Sequence, residues 1–410
     1  MIEKVVQDLE YRLQLQELKL QSLLEITNNL HHNFSLEKVT HTLRYVLKDQ
    51  LGFSKFVVIY FDEIWDVFLK VGYKGRFDID TAMETLHRFK EITIIESSPN
   101  ELLDEFDVVV PVYHEKEPIA YLLLTGLERE KLHLKETLTN ISFIQTIVNV
   151  VVMAIQNRKM VKMEIAQETI KKELELASLL QKMLFPSDLP SNVRMDVSAK
   201  YIQRHKVGGD YYDFIPLEED NYALCIADVS GKGISAAMLM SNFQASVRTL
   251  FSYQRFELDF LIKELNKTVI RSSKGEKFIT FFVALYNAKT RELSYVNAGH
   301  NYPILTNGRK YELLTEGTIG LGMLDDLPFI NVGCKVLPNN TTLVLYTDGV
   351  VELPNKEGEH FEIERLVRLV HNYYPLKMED MNNLIFSKLE EWHEGSDLAD
   401  DTAIFSCRFF

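Results

Sequence analysis

Cysteine is scarce in this chain. Its 410 residues include three, Cys225, Cys334 and Cys407, which lie far apart and show no metal-ligand spacing. That excludes a disulfide-stapled scaffold and points to a reduced, cytoplasmic protein. Positive charge is also short: 45 Lys and Arg stand against 59 Asp and Glu, a formal −14. Broad nucleic-acid binding rests on basic patches, so that class is set aside. No uninterrupted apolar run is long enough for a bilayer. The most apolar long segment, ISFIQTIVNVVVMAI (141–155), is broken by Gln145, Thr146 and Asn149 and falls short of the roughly 20 residues a span needs. It reads as a packed or dimer-forming helix. The N-terminus is a charged helical run rather than a secretory signal, so any input is expected to arrive inside the cell.

What is present is size and pattern. The length allows two or three domains, and 46% hydrophobic residues is ordinary for globular cores. Residues 1–33 read as one helix with an apolar stripe of Leu9, Leu13, Leu20, Leu23, Leu24 and Leu30. Residues 34–155 read as a mixed unit. A helical segment precedes the strand pair FSKFVVIYFDE (53–63) and WDVFLKVGY (65–73). A helix near 80–92 follows, then the pair FDVVVPVYH (106–114) and PIAYLLLTG (118–126), then a closing helix. This order resembles a GAF-type sensor domain, which implies a dimerisation platform with room for a small-molecule or protein signal.

Residues 156–190 read as a coiled-coil linker. Met160, Met163, Gln167, Ile170, Leu174, Ala177, Gln181 and Leu184 recur at three- and four-residue steps, a heptad seam that predicts a homodimer. Two glutamines and an alanine in it weaken the register and suit a transmission helix. Pro186 and Pro190 then stop the helix. Residues 191–410 carry recurrent strands joined by hairpin-length loops, with helices at 234–253, 257–272, 362–373 and 378–393. The expected fold class is α+β, its C-terminal part an antiparallel β-sandwich flanked by helices.

Within that part, four acidic segments recur: VGGDYYDF (207–214), ALCIADVSGKG (223–233), LYTDGVVE (345–352) and ADDTAIF (399–405). Each sets a carboxylate beside a tight turn or a strand end. A lone Asp before Gly is usually a turn former, but four such positions in one half of the chain call for a common purpose. A divalent metal is the simplest. Mg²⁺ and Mn²⁺ take oxygen ligands, and two ions need few carboxylates if one bridges them. Asp228 suits the bridge, with Gly231 and Gly233 letting backbone crowd close and the Val229 carbonyl as a further ligand. Asp210, Asp348 and Asp400 complete the candidate set. Asp213 and Asp401 neighbour better candidates and suit supporting hydrogen bonds. His300 reads as a loop-ordering residue and Glu352 as solvated or supporting.

Together with NAGH (297–300), these segments occur in the order found in PPM-type metal-dependent protein phosphatases, and they resemble the bacterial SpoIIE-like and RsbU-like branch. The similarity covers about 175–410, including ELASLLQKMLFPSDLP (175–190). It implies two Mn²⁺ or Mg²⁺ ions held by Asp210, Asp228, Asp348 and Asp400, with Asp228 bridging. It also implies hydrolysis of phosphoserine or phosphothreonine on a partner protein, in that branch a phosphorylated STAS-domain antagonist of an anti-sigma factor. The chain departs from the branch at Gln203 and Arg204, where Pro-Ala is frequent, at Lys232 for His, at Ala403 for Thr, and at Glu362 where Gly often follows Phe361. Arg204 is a candidate contact for substrate phosphate. Two rivals remain: a catalytically silent partner-binding module of the same fold, and a two-metal nuclease.

Overall fold

The computed structural model describes residues 2–31, 36–95, 102–114, 116–125, 134–252, 257–394 and 400–410. The chain divides into two compact units, Met1–Glu168 and Thr169–Phe410.

The first unit opens with α1 (Ile2–His31) and α2 (Leu36–Tyr45) and continues through β1 (Lys55–Asp62), β2 (Ile64–Val71), α3 (Ile79–Leu86), β3 (Thr93–Ile94), β4 (Val108–His114) and β5 (Glu117–Thr125). These strands form one antiparallel sheet in the order β2-β1-β5-β4-β3. Both of its faces are covered, which is why β1 and β5 read as unbroken apolar runs rather than alternations. Phe56, Val58, Leu122 and Leu124 join one core with Ile26, Val39 and Leu43. Val57, Ile59, Tyr121 and Leu123 join the other with Phe77, Ala82 and Leu86. The turn predicted between β4 and β5 includes Glu115, outside the described residues.

α4 (Leu134–Lys182) is a single helix, where the sequence suggested a closing helix followed by a separate connector. Its early residues Ile141, Ile144, Ile147, Val148, Val151 and Val152 are buried in the first unit's core. Over Asn140–Lys182 it is the one helix among the described residues long and apolar enough, by composition, to cross a membrane. The seam residues Met160, Met163 and Ile170 are 66%, 51% and 56% exposed.

The second unit is a two-sheet sandwich between helix layers. Its strands begin with β6 (Met195–Ile202), β7 (Tyr211–Pro216) and β8 (Asn221–Val229), followed by helices α5 (Ile234–Ser252) and α6 (Leu258–Ser273). Next come β9 (Ile279–Asn287), β10 (Glu292–Ala298), β11 (Ile304–Thr306), β12 (Tyr311–Leu313), β13 (Gly317–Thr318), β14 (Gly333–Val336) and β15 (Thr341–Tyr346). The short α7 (Asp348–Val351), then α8 (Ile363–Asn372), α9 (Met378–His393) and β16 (Thr402–Phe409) complete it. One sheet runs β13-β10-β9-β8-β7 with β14 beside β10, the other β12-β11-β15-β16-β6. Every pairing is antiparallel except the two-residue contact of β10 with β13. Alternate residues of each sheet, such as Leu224, Ile226 and Phe282 against Leu345, Phe405 and Phe409, fill the space between the sheets. The outer face of the first sheet packs on α5 and α6 through Phe243, Leu261 and Phe281. The outer face of the second packs on α8 and α9 through Val344, Leu366 and Ile385.

Candidate metal centre

Register brings the predicted aspartates together. β7 and β8 pair antiparallel with Tyr211 opposite Ala227, so Asp210, one residue before β7, falls opposite Asp228 near the end of β8. In the facing sheet Tyr346 pairs with Ile404. That sets Asp348, just past β15, beside Asp400 and Asp401, just before β16. Each sheet thus contributes carboxylates at one end of the sandwich.

The approach is tight, and glycine permits it. A β-carbon on Gly209 would lie 3.2 Å from the Val229 carbonyl oxygen and 3.5 Å from Asp228 Oδ1. One on Gly349 would lie 2.0 Å from the Asp401 carbonyl oxygen, so a side chain there would force α7 away from β16. The turn after β8 takes positive φ at Gly231 and Gly233, 89° and 75°. It is braced by Lys277, whose Nζ donates to Ser235 Oγ at 3.0 Å and to the Ser230 carbonyl at 3.3 Å.

Charge gathers with little to offset it. Asp210 is 1% exposed, and its Oδ2 is buried without a hydrogen-bond partner. Burial, then the charges of Asp228 and Asp401, push its carboxyl well above the ordinary range. Burial, with Asp348 and Asp400 nearby, raises Asp228 to about 7. Burial, with Asp400 and Glu352, raises Asp348 to about 6. Lys232 Nζ lies 2.6 Å from Asp400 Oδ2, at the partly exposed rim. A buried polar atom without a partner, among mutually repelling carboxylates, is the signature of a cation site. Oxygen-only donors suit Mg²⁺ or Mn²⁺. Among the described residues no three side chains of the His, Cys, Asp and Glu types already close around one point at ligand distance. The fit therefore rests on convergence, burial and the orphaned oxygen.

The supporting residues sort differently from expectation. Asp401 accepts from the backbone N–H of Arg204 at 2.9 Å and of Gly209 at 2.8 Å, so it fixes the loop that delivers Asp210. Asp213 is committed elsewhere. Its oxygens take two bonds from Arg248, at 2.7 and 3.0 Å, and one from the Tyr211 hydroxyl at 2.7 Å. Strand geometry explains this, since β7 turns Asp213 onto α5. His300 is buried and orders loops. The Thr280 hydroxyl meets its Nδ1 at 2.9 Å and the Tyr346 carbonyl meets its Nε2 at 3.1 Å. Burial lowers its pKa to about 4, so it stays neutral while tying the start of β9 to the end of β15. Arg204 is exposed and Glu352 lies close enough to Asp348 to raise its pKa.

Two participants escape a reading of motifs. The Thr347 hydroxyl lies near enough to Asp210 to favour its charged form and accepts the Ala403 N–H at 2.9 Å. Its only signal was its place immediately before Asp348. Gln181 corrects the seam reading: it is 5% exposed and turns onto its own domain. Its Nε2 donates to the Gly208 carbonyl at 2.7 Å and its Oε1 accepts the Gly208 N–H at 3.1 Å. An amide can satisfy both backbone groups of one residue, where a seam position facing a second helix would leave it half-paired.

Comparison with known proteins agrees with this geometry. Residues 218–410 match the family model described as Stage II sporulation protein E (SpoIIE). Phosphoserine phosphatase RsbU of Bacillus subtilis is 29% identical over 226 residues, covering 54% of this chain and 66% of its own length. Protein IcfG of Synechocystis is 27% identical over 280 residues, covering 61% and 44%. The chain thus spans about half to two thirds of the length of these relatives. Among solved structures, the SiaA-PP2C domain of Pseudomonas aeruginosa aligns with a TM-score of 0.54 at 20% identity, covering 60% of this chain and 99% of that one. Residues 218–410 therefore match the SpoIIE family model, and the second unit shares the fold of the SiaA-PP2C domain.

Proposed function

We propose that the chain is a metal-dependent protein serine/threonine phosphatase of bacterial signalling, controlled by its N-terminal unit. The observation that carries this reading is the buried, unpartnered Asp210 oxygen beside Asp228, Asp348, Asp400 and Asp401. Asp210, Asp228, Asp348, Asp400 and the Val229 carbonyl would hold two Mn²⁺ or Mg²⁺ ions, with Asp228 between them. When bound, such ions supply an activated water and brace in-line displacement at phosphorus.

The chain's own residues do the positioning. Asp401 and Gln181 hold the loop at 204–209, Thr347 stands beside Asp210, and neutral His300 ties the start of β9 to the end of β15. Lys232 stands at the rim, where its ammonium is placed to meet an arriving phosphate. A cysteine nucleophile is ruled out for Cys225 and Cys407, which are buried and whose thiols burial pushes up. Cys334 is exposed but sits on β14, in a strand with no phosphate-cradling loop.

The substrate proposed is a phosphoserine or phosphothreonine of a STAS-domain partner, in line with relatives named phosphoserine phosphatase. The first unit is proposed as a GAF-like sensor taking a small-molecule or protein signal in the cytoplasm. The exposed Met160, Met163 and Ile170 of α4 favour a homodimer. The test is turnover of p-nitrophenyl phosphate and of a phosphorylated STAS-domain protein with Mn²⁺ or Mg²⁺, with and without EDTA. Turnover that survives EDTA, or none from folded protein with either metal, refutes the proposal.

A further inference from the structure

We propose that the cleft between the β11–β12 turn and α8 binds a phosphate monoester, at a site separate from the carboxylate centre. The cleft encloses about 360 Å³, with Ile304, Val367 and Val370 as apolar wall and Tyr311 beside them. That volume lies in the range of small-ligand sites. Arg309 and Lys310 come from the turn and Arg368 and His371 from α8, and no carboxylate lines the cleft. In a chain of net charge −14, such a concentration of cations is unusual.

These cations have not been placed there for ion pairs. Among the described residues neither the Arg309 nor the Lys310 side chain has an ion-pair partner, and Arg368 donates only to the Glu364 carbonyl. The nearest carboxylate on β12, Glu312, is taken by Lys335 at 2.7 Å. The turn that presents Arg309 and Lys310 is itself fixed. Asn307 Oδ1 accepts both of their backbone N–H groups at 3.0 Å. Gly308, at φ 81°, packs so closely on the Tyr374 ring that a β-carbon would lie 2.5 Å from it. Arg408 covers that ring, 4.6 Å from its centroid. A fixed turn confines the ordering cost of binding to the exposed side chains themselves. Two guanidinium groups and an ammonium match a dianion with several acceptor oxygens better than a lone carboxylate.

The site is remote from the metal centre. Ile304 and Thr306 pair with Val344 and Thr342, which precede Asp348 by about 13–20 Å at the rise of an extended strand. The phosphate monoester can come from a free metabolite or from a phosphoserine on a protein. Calorimetry on the full chain in EDTA, with inorganic phosphate, AMP and a phosphoserine peptide as separate probes, distinguishes them. Saturable binding of AMP or of the peptide, tighter than inorganic phosphate, is expected. Arg309→Glu and Arg368→Glu should each weaken it by at least about tenfold, with unchanged circular dichroism and unchanged metal-dependent hydrolysis of p-nitrophenyl phosphate. Preference for AMP assigns the site to a metabolite, and preference for the peptide assigns it to a phosphoprotein. No saturable binding of any probe, or equal affinity in both reversal variants, overturns the proposal.

Discussion

Asp228→Asn should abolish metal-dependent turnover and at the same time make the metal-free protein more stable at neutral pH. Burial and the neighbouring Asp348 and Asp400 raise Asp228 from an ordinary 3.8 to about 7. A carboxyl whose folded pKa lies above its unfolded value has its full stability only below the unfolded pKa. It loses that stability as pH rises towards the folded pKa. At pH 7.5 ionisation of this one side chain therefore costs the fold on the order of 4 kcal/mol, at 1.36 kcal/mol per pKa unit. Relaxation of the surroundings would reduce this to about 2 kcal/mol. An amide keeps the shape and carries no charge. In EDTA at pH 7.5 the variant should unfold about 4–8 °C above the parent, at the 2–4 °C per kcal/mol expected for a unit of this size. Near pH 4.5 the gap should shrink to a degree or two, at about 0.5 kcal/mol after the same relaxation. Adding Mn²⁺ should raise the parent's midpoint and leave the variant's nearly fixed. Scanning calorimetry with both buffers reads all three effects. A variant less stable than the parent in EDTA at pH 7.5 would mean that Asp228 is a structural residue, and the reasoning from stored repulsion would fall.

Other expectations follow from single contacts. Gln181→Leu removes both bonds to Gly208. Loosening the loop by about 1–2 kcal/mol should lower turnover by up to about tenfold while the unfolding midpoint of the second unit barely moves; unchanged steady-state kinetics would dismiss the role. Gly349→Ala puts a β-carbon against the Asp401 carbonyl, and urea denaturation should register a loss of about 2–3 kcal/mol, with an unaltered midpoint counting against the packing described. Glu362 sits at φ 64° and ψ 156°, a region that favours glycine, and its contact with Arg365 is a loose 3.9 Å. Glu362→Gly should stabilise the second unit by about 1 kcal/mol, and a lower midpoint on thermal scanning would show that the contact matters more than the strain.

Much of this was legible in the residues. The long strands β1, β5, β8, β9 and β16 announce themselves as apolar runs, and α5, α6, α8 and α9 as periodic ones, because burial on one or both faces leaves that mark. Asp228 and Asp348 are legible because glycines beside a strand end signal close approach. β7 was hidden: the glycines and aspartates around it spell a turn, yet Tyr211–Pro216 pairs fully with β8. β11, β12, β13 and β14, of two to four residues, are too short for alternation to show. Asp213 and Asp401 look alike in sequence, each a second acid after a better one. Only register tells that one faces Arg248 and the other reaches back across 192 positions to Gly209. Gln181 matched the heptad spacing of its neighbours, and nothing local says that its amide will meet Gly208. Side-chain partners far apart along a chain leave no trace in its periodicity.

The place of β16, between β15 and the edge strand β6, bears on how the second unit is assembled. Of these strands it leaves the ribosome last, and Asp400 and Asp401 lead directly into it. Until it slots between partners translated before it, β6 is cut off from the rest of its sheet and Asp400 and Asp401 stand apart from the other carboxylates. A chain without β16 should therefore hold together neither that sheet nor the carboxylate cluster, and both should form in one step when the strand docks.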